Sequence, residues 1–498
     1  MLVFVAAAVM FALFSLSLSI YWYWTVPSNL PPGPRGLPFI GSGLDTLDVS
    51  KNHRLLQSWA RKYGPLFKFY ITNKLVVVLG DYNTIQEALI KQGQIFAGRP
   101  NFLTFVPDSL HTLGLLAAEG DLWKEQRRFA LSTLRDFGVG RPILEGQIQE
   151  EVRYLIEAID RHEDGGPFDM HRYTSNAVAN VTCAMVLGRR YDYEDKRFGE
   201  HLATLSRRTS LAGINFISPL LLCGWIMAVL KVLPMAKRLK KEGDRFVKYI
   251  ADQIKQTQAE YDPNSEPKNY VHAFMKAAES NQGDYFTEPQ LLSTVIDLFG
   301  GATETTSSTI RWAILYLTHD PEIQEKISTE IRRMVGSDRL PSMADRPNLP
   351  LTTAMLMETN RLSGVSPLAV AHKTTQPTKL MSYDIPKDTL VVPLLWNVLH
   401  DPHTYENPEE FNPYRFLDSD GKVKKEPSLI PFSTGRRVCV GESLAQMELF
   451  LFLTSLLAKY QFFFPLNEPS HVMSEKVGFI RSPAPFRICV KARRQEID

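Results

Sequence analysis

Apolar positions recur along this chain with two periods, and the switch between them locates the elements. In "PLFKFYITNKLVVVLG" (65–80) two short apolar runs flank Thr72-Asn73, which predicts a β-hairpin turning there. From 81 to about 360 the spacing is mostly helical, with apolar residues three and four apart and breaks near "DGG" (164–166) and "YDPNSEPKN" (261–269). The longest helix is expected from Glu288 to Thr318 and a shorter one from Thr352 to Leu362. Ser363 to Arg437 is irregular and proline-rich with short strands, and Glu442 to Tyr460 is helical again. No internal repeat or low-complexity block appears. The pattern predicts a mainly α fold with small β-sheets, of the α+β class.

Two stretches carry no charge. Residues 1–34 have no charged side chain, and "LVFVAAAVMFALFSLSLSIYWYW" is long enough to span a bilayer. Tyr21, Trp22, Tyr23 and Trp24 close it as an interfacial aromatic belt would. A cleaved signal peptide would want a basic leader and a small-residue cleavage site, and neither is evident. The expectation is therefore an uncleaved transmembrane signal-anchor over 1–24 and a proline-rich linker over 25–40 containing "PPGPRGLP". One large domain follows over 41–498. The first charge, Arg35, lies on the C-terminal side and places that domain in the cytosol. The second stretch, "LAGINFISPLLLCGWIMAVL" (211–230), is interrupted by Gly213, Pro219 and Gly224 and followed by "KRLKKEGDRF". As a second span it would put 36–210 and 231–498 on opposite sides of the membrane. A surface helix pair dipping its apolar face into lipid is expected instead.

Composition narrows the classes. The chain has 498 residues, 44% of them hydrophobic, and 56 basic against 54 acidic side chains give a net charge of +2. Such a balance supplies no field that would attract nucleic acid or acidic partners. Cys183, Cys223, Cys439 and Cys489 form no CxxC pair, which argues against a zinc site or a disulfide framework.

The candidate chemistry lies in "PFSTGRRVCVGESLA" (431–445). A metal binds thiolate rather than thiol, and a helix N-terminus with adjacent arginines lowers a cysteine pKa. Arg436, Arg437 and the helix from Glu442 are expected to do this for Cys439. Gly435 allows a turn closed to other residues, and Gly441 allows close approach of a flat ligand. The spacing Phe432-x-x-Gly435-x-Arg437-x-Cys439-x-Gly441 resembles the haem-ligand loop of the cytochrome P-450 family. That resemblance implies a haem b with Cys439 as axial thiolate, buried between a long oxygen-binding helix and the helix after the cysteine loop.

Other segments follow in family order. On the long helix, "DLFGGATETTSST" places Gly301 and Thr305 four apart on one face, with Glu304 beside them as a proton source. Gly301 to Thr305 is similar to the family's [AG]-G-x-[DE]-T, with Ala302 in place of the second glycine, and the likeness implies Thr305 as the catalytic alcohol. "ETNR" and "FNPYRF" supply Glu358, Arg361 and Arg415, which the family joins in a structural ion network. By the same likeness Trp123 and Arg127 of "WKEQRR", Arg99 of "AGRP", His372 of "LAVAH" and Arg437 contact the haem propionates. "NPEEFNPYRFLD", "RRYDY" and "VLHDP" resemble the animal microsomal group that metabolises drugs and steroids.

The resemblance implies a monooxygenase that inserts one oxygen atom of O2 into a lipophilic small molecule, with the domain on the cytosolic face of the endoplasmic reticulum. A thiolate ligand favours O–O cleavage. No nicotinamide or flavin fingerprint is present, so electrons from NADPH are expected through a flavoprotein reductase, with cytochrome b5 as a second donor. Lys124, Arg128, Arg135, Lys422, Lys424, Lys425 and Arg436 are a candidate docking patch. Phe102, Phe105, Leu115, Phe299, Val365 and Ile480 predict an apolar pocket, and no charged counter-ion for the substrate is expected in it. The alternatives are a reductase-independent isomerase or dehydratase, or a non-catalytic haem-binding protein; the Glu304–Thr305 pair argues against both.

Overall fold

The computed structural model describes Met10, Ser17 and residues 29–493, less 38–39, 73, 101–109, 141, 164–165, 218–233, 281–284, 337 and 467–472. The predicted anchor, apart from those two residues, lies outside the described residues, as do most of the apolar stretch 211–230 and the pocket candidates Phe102 and Phe105. Among the described residues no helix is long and apolar enough to cross a membrane.

Helices of ten residues or more are α1 (Asn52–Tyr63), α2 (Gly120–Asp136), α3 (Pro142–Asp160), α4 (Met170–Leu187), α5 (Lys196–Ile217), α6 (Pro234–Gln258), α7 (Tyr270–Glu279), α8 (Glu288–His319), α9 (Pro321–Val335), α10 (Pro350–Ser363) and α11 (Glu442–Lys459). Helix α8 is the spine. It starts where Thr287 accepts from the Gln290 N–H and Pro289 occupies the first turn, and it stops at Asp320-Pro321. Asp320 ends α8 and caps α9, its carboxylate accepting the Ile323 N–H at 3.0 Å. A proline directly after such a residue cannot continue the first helix but suits the start of the next.

Two apolar cores flank this spine. Trp312, Ile314 and Leu317 of α8 pack with α3, α4 and α9–α11 around Phe450 and Leu453. On the other side Val295, Ile296 and Phe299 pack with Phe198, Phe246 and Tyr270 from α5–α7. Helix α5 runs unbroken through Gly213, so that residue does not interrupt it as the sequence suggested.

The predicted hairpin is present as β1 (Leu66–Ile71) and β2 (Lys74–Leu79), with Phe67 opposite Val78. Its larger sheet closes through chain segments about 300 residues away. The short strands β3 (His372–Lys373), β4 (Thr378–Leu380), β5 (Tyr383–Ile385) and β6 (Leu390–Pro393) follow α10, and the four-stranded order is β1-β2-β6-β3. Strand β6 runs parallel to β2 and antiparallel to β3, with His372 opposite Val391. Two further pairs form near the C-terminus: β7 (Tyr460–Phe463) with β10 (Cys489–Ala492), and β8 (Glu475–Val477) with β9 (Arg481–Pro483). The sequence pattern did not predict these, since each run is only three or four residues long and the β7 partner lies across a long excursion.

Behind α10 the expected ion network is assembled. Arg361 grips Glu358 with two parallel bonds of 2.7 and 2.8 Å, and Arg415 reaches the same carboxylate at 3.0 Å. Glu358 and Arg361 are fully buried, and spare guanidinium hydrogens go to the Leu399 and Pro408 carbonyls. A bidentate pair with every hydrogen bond met is the form in which buried charge is tolerated.

Candidate active site

The cysteine loop is held by backbone chemistry. Gly435 has φ +77°, and a side chain there would overlap the Leu89 carbonyl oxygen, so both conformation and space demand glycine. The Cys439 N–H donates to the Phe432 carbonyl at 3.2 Å and α11 begins three residues later. Surrounded by protein, Cys439 is nevertheless exposed, because it lines a cavity of about 350 Å³. A Cβ on Gly441 would meet only that sulfur, at 4.0 Å, which leaves the space beside the thiol clear.

The electrostatics differ from the sequence expectation. Burial pushes the Cys439 thiol up, opposed by N–H donation from Gly441 and Glu442 and by the Arg127 charge. Arg436 and Arg437 do not provide the stabilisation expected of them: Arg436 is exposed, and the Arg437 guanidinium points toward the Ala97, Leu115 and Ala118 carbonyls. A thiolate at this position therefore needs a cation to bind it.

Helix α8 forms another wall of the same cavity, lined by Asp297, Gly301, Ala302, Glu304 and Thr305. A Cβ on Gly301 would meet nothing within 4 Å, and the Thr305 hydroxyl donates to the Gly301 carbonyl at 2.7 Å. That bond uses the hydroxyl hydrogen and leaves the oxygen's lone pairs free to accept. Glu304 is buried, with Oε1 lacking a hydrogen-bond partner. Burial pushes its carboxyl up to about 7, with Ser206 and Arg311 pulling the other way.

Every residue expected at the propionates lines this cavity: Arg99, Trp123, Arg127, His372 and Arg437. The Arg437 guanidinium lies over the Trp123 ring, 3.8 Å from its centroid, and donates to the Ala97 and Ala118 carbonyls. Arg99 donates to Val370 and Ala371, and Arg127 to Val438 at 2.7 Å. The His372 ring Nδ1 meets the Phe96 carbonyl at 2.7 Å, a place fixed by the β3–β6 pairing. Burial pushes Arg437 down to about 8 and Arg99 to about 9, and holds His372 well below its ordinary range. Among the described residues the carboxylate beside Arg99 and Arg437 is Glu119, which also serves Lys373 at 3.3 Å and the Arg99 backbone N–H. Two buried guanidiniums and the half-buried Arg127, on a cavity wall with little counter-charge among the described residues, suit a polyanionic rim. A flat dianionic macrocycle with a thiolate-seeking metal fits these residues.

Leu115, Val365 and Ile480 line the cavity as expected, whereas Phe299 does not: it is buried in the core with Phe198 and Phe246. Two lining acids escaped the sequence reading. Asp297 accepts the Leu115 and Leu116 N–H groups at 2.7 and 2.9 Å, and burial pushes its carboxyl up to about 6. Its place four residues before Gly301, on the same helix face, was the available signal. Glu448 of α11 is fully buried beside Thr306, and a lone acid inside "LAQMELFLFL" marks it. Of the docking-patch candidates, Lys124 and Arg128 are exposed but paired locally with Asp121 and Glu125.

This arrangement defines a class: an enzyme whose buried cavity joins a cysteine loop, a cationic collar and an acid–alcohol helix. Comparison with known proteins then places the chain. The family model for cytochrome P450 matches residues 31–490, and the chain belongs to that family. It is 35% identical to cytochrome P450 2U1 of Rattus norvegicus, over 96% of this chain and 94% of the relative. It is 38% identical to cytochrome P450 2J5 of Mus musculus, over 94% and 92%, and 40% identical to cytochrome P450 2H1 of Gallus gallus, over 86% and 87%. The chain is thus a haem-thiolate P450 monooxygenase, similar to animal microsomal members.

Proposed function

We propose that the protein oxygenates a lipophilic small molecule, by hydroxylation or epoxidation, on electrons passed from NADPH through a flavoprotein reductase, with cytochrome b5 as a second donor. In this reading Cys439 would bind the haem iron through its sulfur, and Arg99, Trp123, Arg127, His372 and Arg437 would hold the haem propionates. One observation carries it: Cys439 and the Gly301–Thr305 turn line one cavity together with the guanidinium-bearing residues Arg99, Arg127 and Arg437.

The haem, when bound, supplies the activation of dioxygen. This chain's residues supply the rest. Arg127 and the Gly441 and Glu442 N–H groups favour negative charge on sulfur. Glu304, with its carboxyl near 7, holds or releases a proton at neutral pH. Thr305 accepts at its oxygen while its own hydrogen stays on Gly301. Apolar side chains such as Leu115, Val365 and Ile480 exclude water and orient an apolar substrate.

We place residues 1–24 as a single-pass anchor in the endoplasmic reticulum membrane, N-terminus luminal, with 25–40 as linker and 41–498 as the cytosolic catalytic domain. The microsomal relatives and the uncharged N-terminal sequence support this. The test is Cys439→Ser. The purified variant is expected to lose the thiolate-type band of its reduced carbon monoxide complex and its NADPH-dependent oxygen insertion, and survival of either overturns the reading.

A further inference from the structure

Behind the cavity wall one residue ties together separate chain segments that form it. Strands β8 and β9 are joined by a tight turn, closed where the Gly478 N–H donates to the Ile480 carbonyl at 2.9 Å. That turn places Phe479 and Ile480 in the cavity lining. Its tip rests on α5: Gly478 packs so closely on the Ser210 backbone that a side chain has no room, and the Phe479 N–H donates to the Thr209 carbonyl at 2.9 Å. The base of the turn is Arg481, a charged residue that is only 7% exposed.

Arg481 follows Ile480 directly, and successive side chains of a strand point to opposite faces. Its guanidinium accordingly turns to the protein behind the lining. One nitrogen donates to the Leu362 carbonyl at 3.1 Å and to that of Ser363. These are the last carbonyls of α10, which lack partners within their helix and form its negative end. The Nε–H donates across the hairpin to Glu475 at 2.5 Å, and His53 and Arg54 of α1 approach that same carboxylate at 3.6 and 3.7 Å. The flat group also faces the indoles of Trp312 on α8 and Trp396, 4.3 and 5.0 Å from the ring centroids. Such cation–ring contacts strengthen where water is excluded.

The backbone completes the joint. The Arg481 N–H donates to the Val365 carbonyl at 2.8 Å, and Ser363 and Val365 line the cavity opposite α8. Between them Gly364 has φ +45°, and a Cβ there would come within 2.9 Å of the Trp396 ring. Apolar contacts alone are non-directional and would let the hairpin slide over α10. A guanidinium bonded at once to the end of α10 and to the opposite strand fixes their spacing, because its donors are held in one rigid plane.

We propose that Arg481 is a positioning residue for substrate specificity. It sets the distance between the Phe479–Ile480 turn and the Val365 wall, and through it the shape of apolar group that the cavity accepts. The inference rests on the monooxygenase reading of the same cavity.

Spectral titration of the full-length, haem-loaded protein with imidazole and N-benzylimidazole tests it without recourse to turnover. Both ligate iron through nitrogen, and only the second carries an apolar arm that must fit the walls. Arg481→Met is expected to weaken N-benzylimidazole about tenfold, the scale of one lost aliphatic contact, while imidazole stays within about twofold. Arg481→Lys, which keeps a cation beside the indoles, should recover most of the loss. Glu475→Gln leaves the bonds to α10 in place and should show the same selective loss at smaller size, and it decides the matter if Arg481→Met does not fold. An unchanged ratio of the two affinities, equal weakening of both ligands, or tighter N-benzylimidazole binding would overturn the proposal, even where the thermal midpoint falls. The reduced carbon monoxide spectrum is recorded on the same samples. A normal thiolate-type band with an unchanged ratio sinks only the role of Arg481, whereas absence of that band in the parent protein sinks the monooxygenase reading.

Discussion

Two groups of buried and half-buried arginines in this molecule meet opposite fates. Arg361 and Arg415 close on Glu358, with a bidentate contact and a third bond at 3.0 Å, and their remaining hydrogens reach backbone carbonyls. Arg99, Arg127 and Arg437 also find carbonyls, but among the described residues the carboxylate beside Arg99 and Arg437 is Glu119, which also serves Lys373. The first group is complete within the protein. In the proposed reading the second is completed by the haem propionates. Burial alone therefore does not distinguish a structural arginine from a binding one, and the local balance of carboxylates does.

The comparison breaks most visibly at the closed network. Arg361→Ala removes the bidentate partner of the buried Glu358 carboxylate, leaving it Arg415 and the Asn412 N–H, and should cost about 3–5 kcal/mol. The expected result is little or no soluble folded protein, checked by yield and thermal unfolding. Next in size is Glu304, whose carboxyl is raised from 4.5 to about 7. Its neutral form contributes stability that is fully present below about pH 4.5 and is lost as pH rises through 7. Glu304→Gln removes that dependence. The variant's advantage over the parent should be larger at pH 8 than at pH 4 by about 3 kcal/mol in denaturant unfolding. A pH-independent difference would contradict the assignment.

Smaller effects separate the two arginine groups directly. Arg437→Met should weaken haem retention by about 10- to 100-fold, measured by transfer to apomyoglobin, since a charge-assisted contact to an anion is lost. The haem-free variant should unfold no more easily than the parent, because an undercompensated buried charge has been removed. If haem-free Arg437→Met lost as much stability as Arg361→Ala, the distinction would fail. Lys326 marks the exposed limit. It pairs with Glu322 at 2.6 Å, as short as the buried contacts, yet both side chains are largely exposed. Lys326→Ala should leave the thermal midpoint where it is, because water and salt screen such a pair.

Much of this was legible before any coordinates. Helical spacing predicted α8 within one residue at its end, because Thr287, Pro289 and Pro321 punctuate it locally. Gly435 announced its own turn, and the observed φ of +77° explains why no other residue serves. The short C-terminal strands were not legible, since their pairing partners are remote in sequence. Phe299 was misplaced for a related reason. An apolar residue on a helix with cores on both sides can face either, and only packing selects.

By itself, then, the sequence determined the features that depend on neighbours along the chain: helix limits, the hairpin turn, the spacing around Cys439 and the shared face of Gly301 and Thr305. The tertiary structure alone decided which charges are compensated. It brought Glu358 to Arg415, set Glu119 beside Arg99 and Arg437, and raised the Glu304 carboxyl. Those outcomes depend on distance and desolvation between segments far apart in the chain, which the order of residues does not express until the chain has folded.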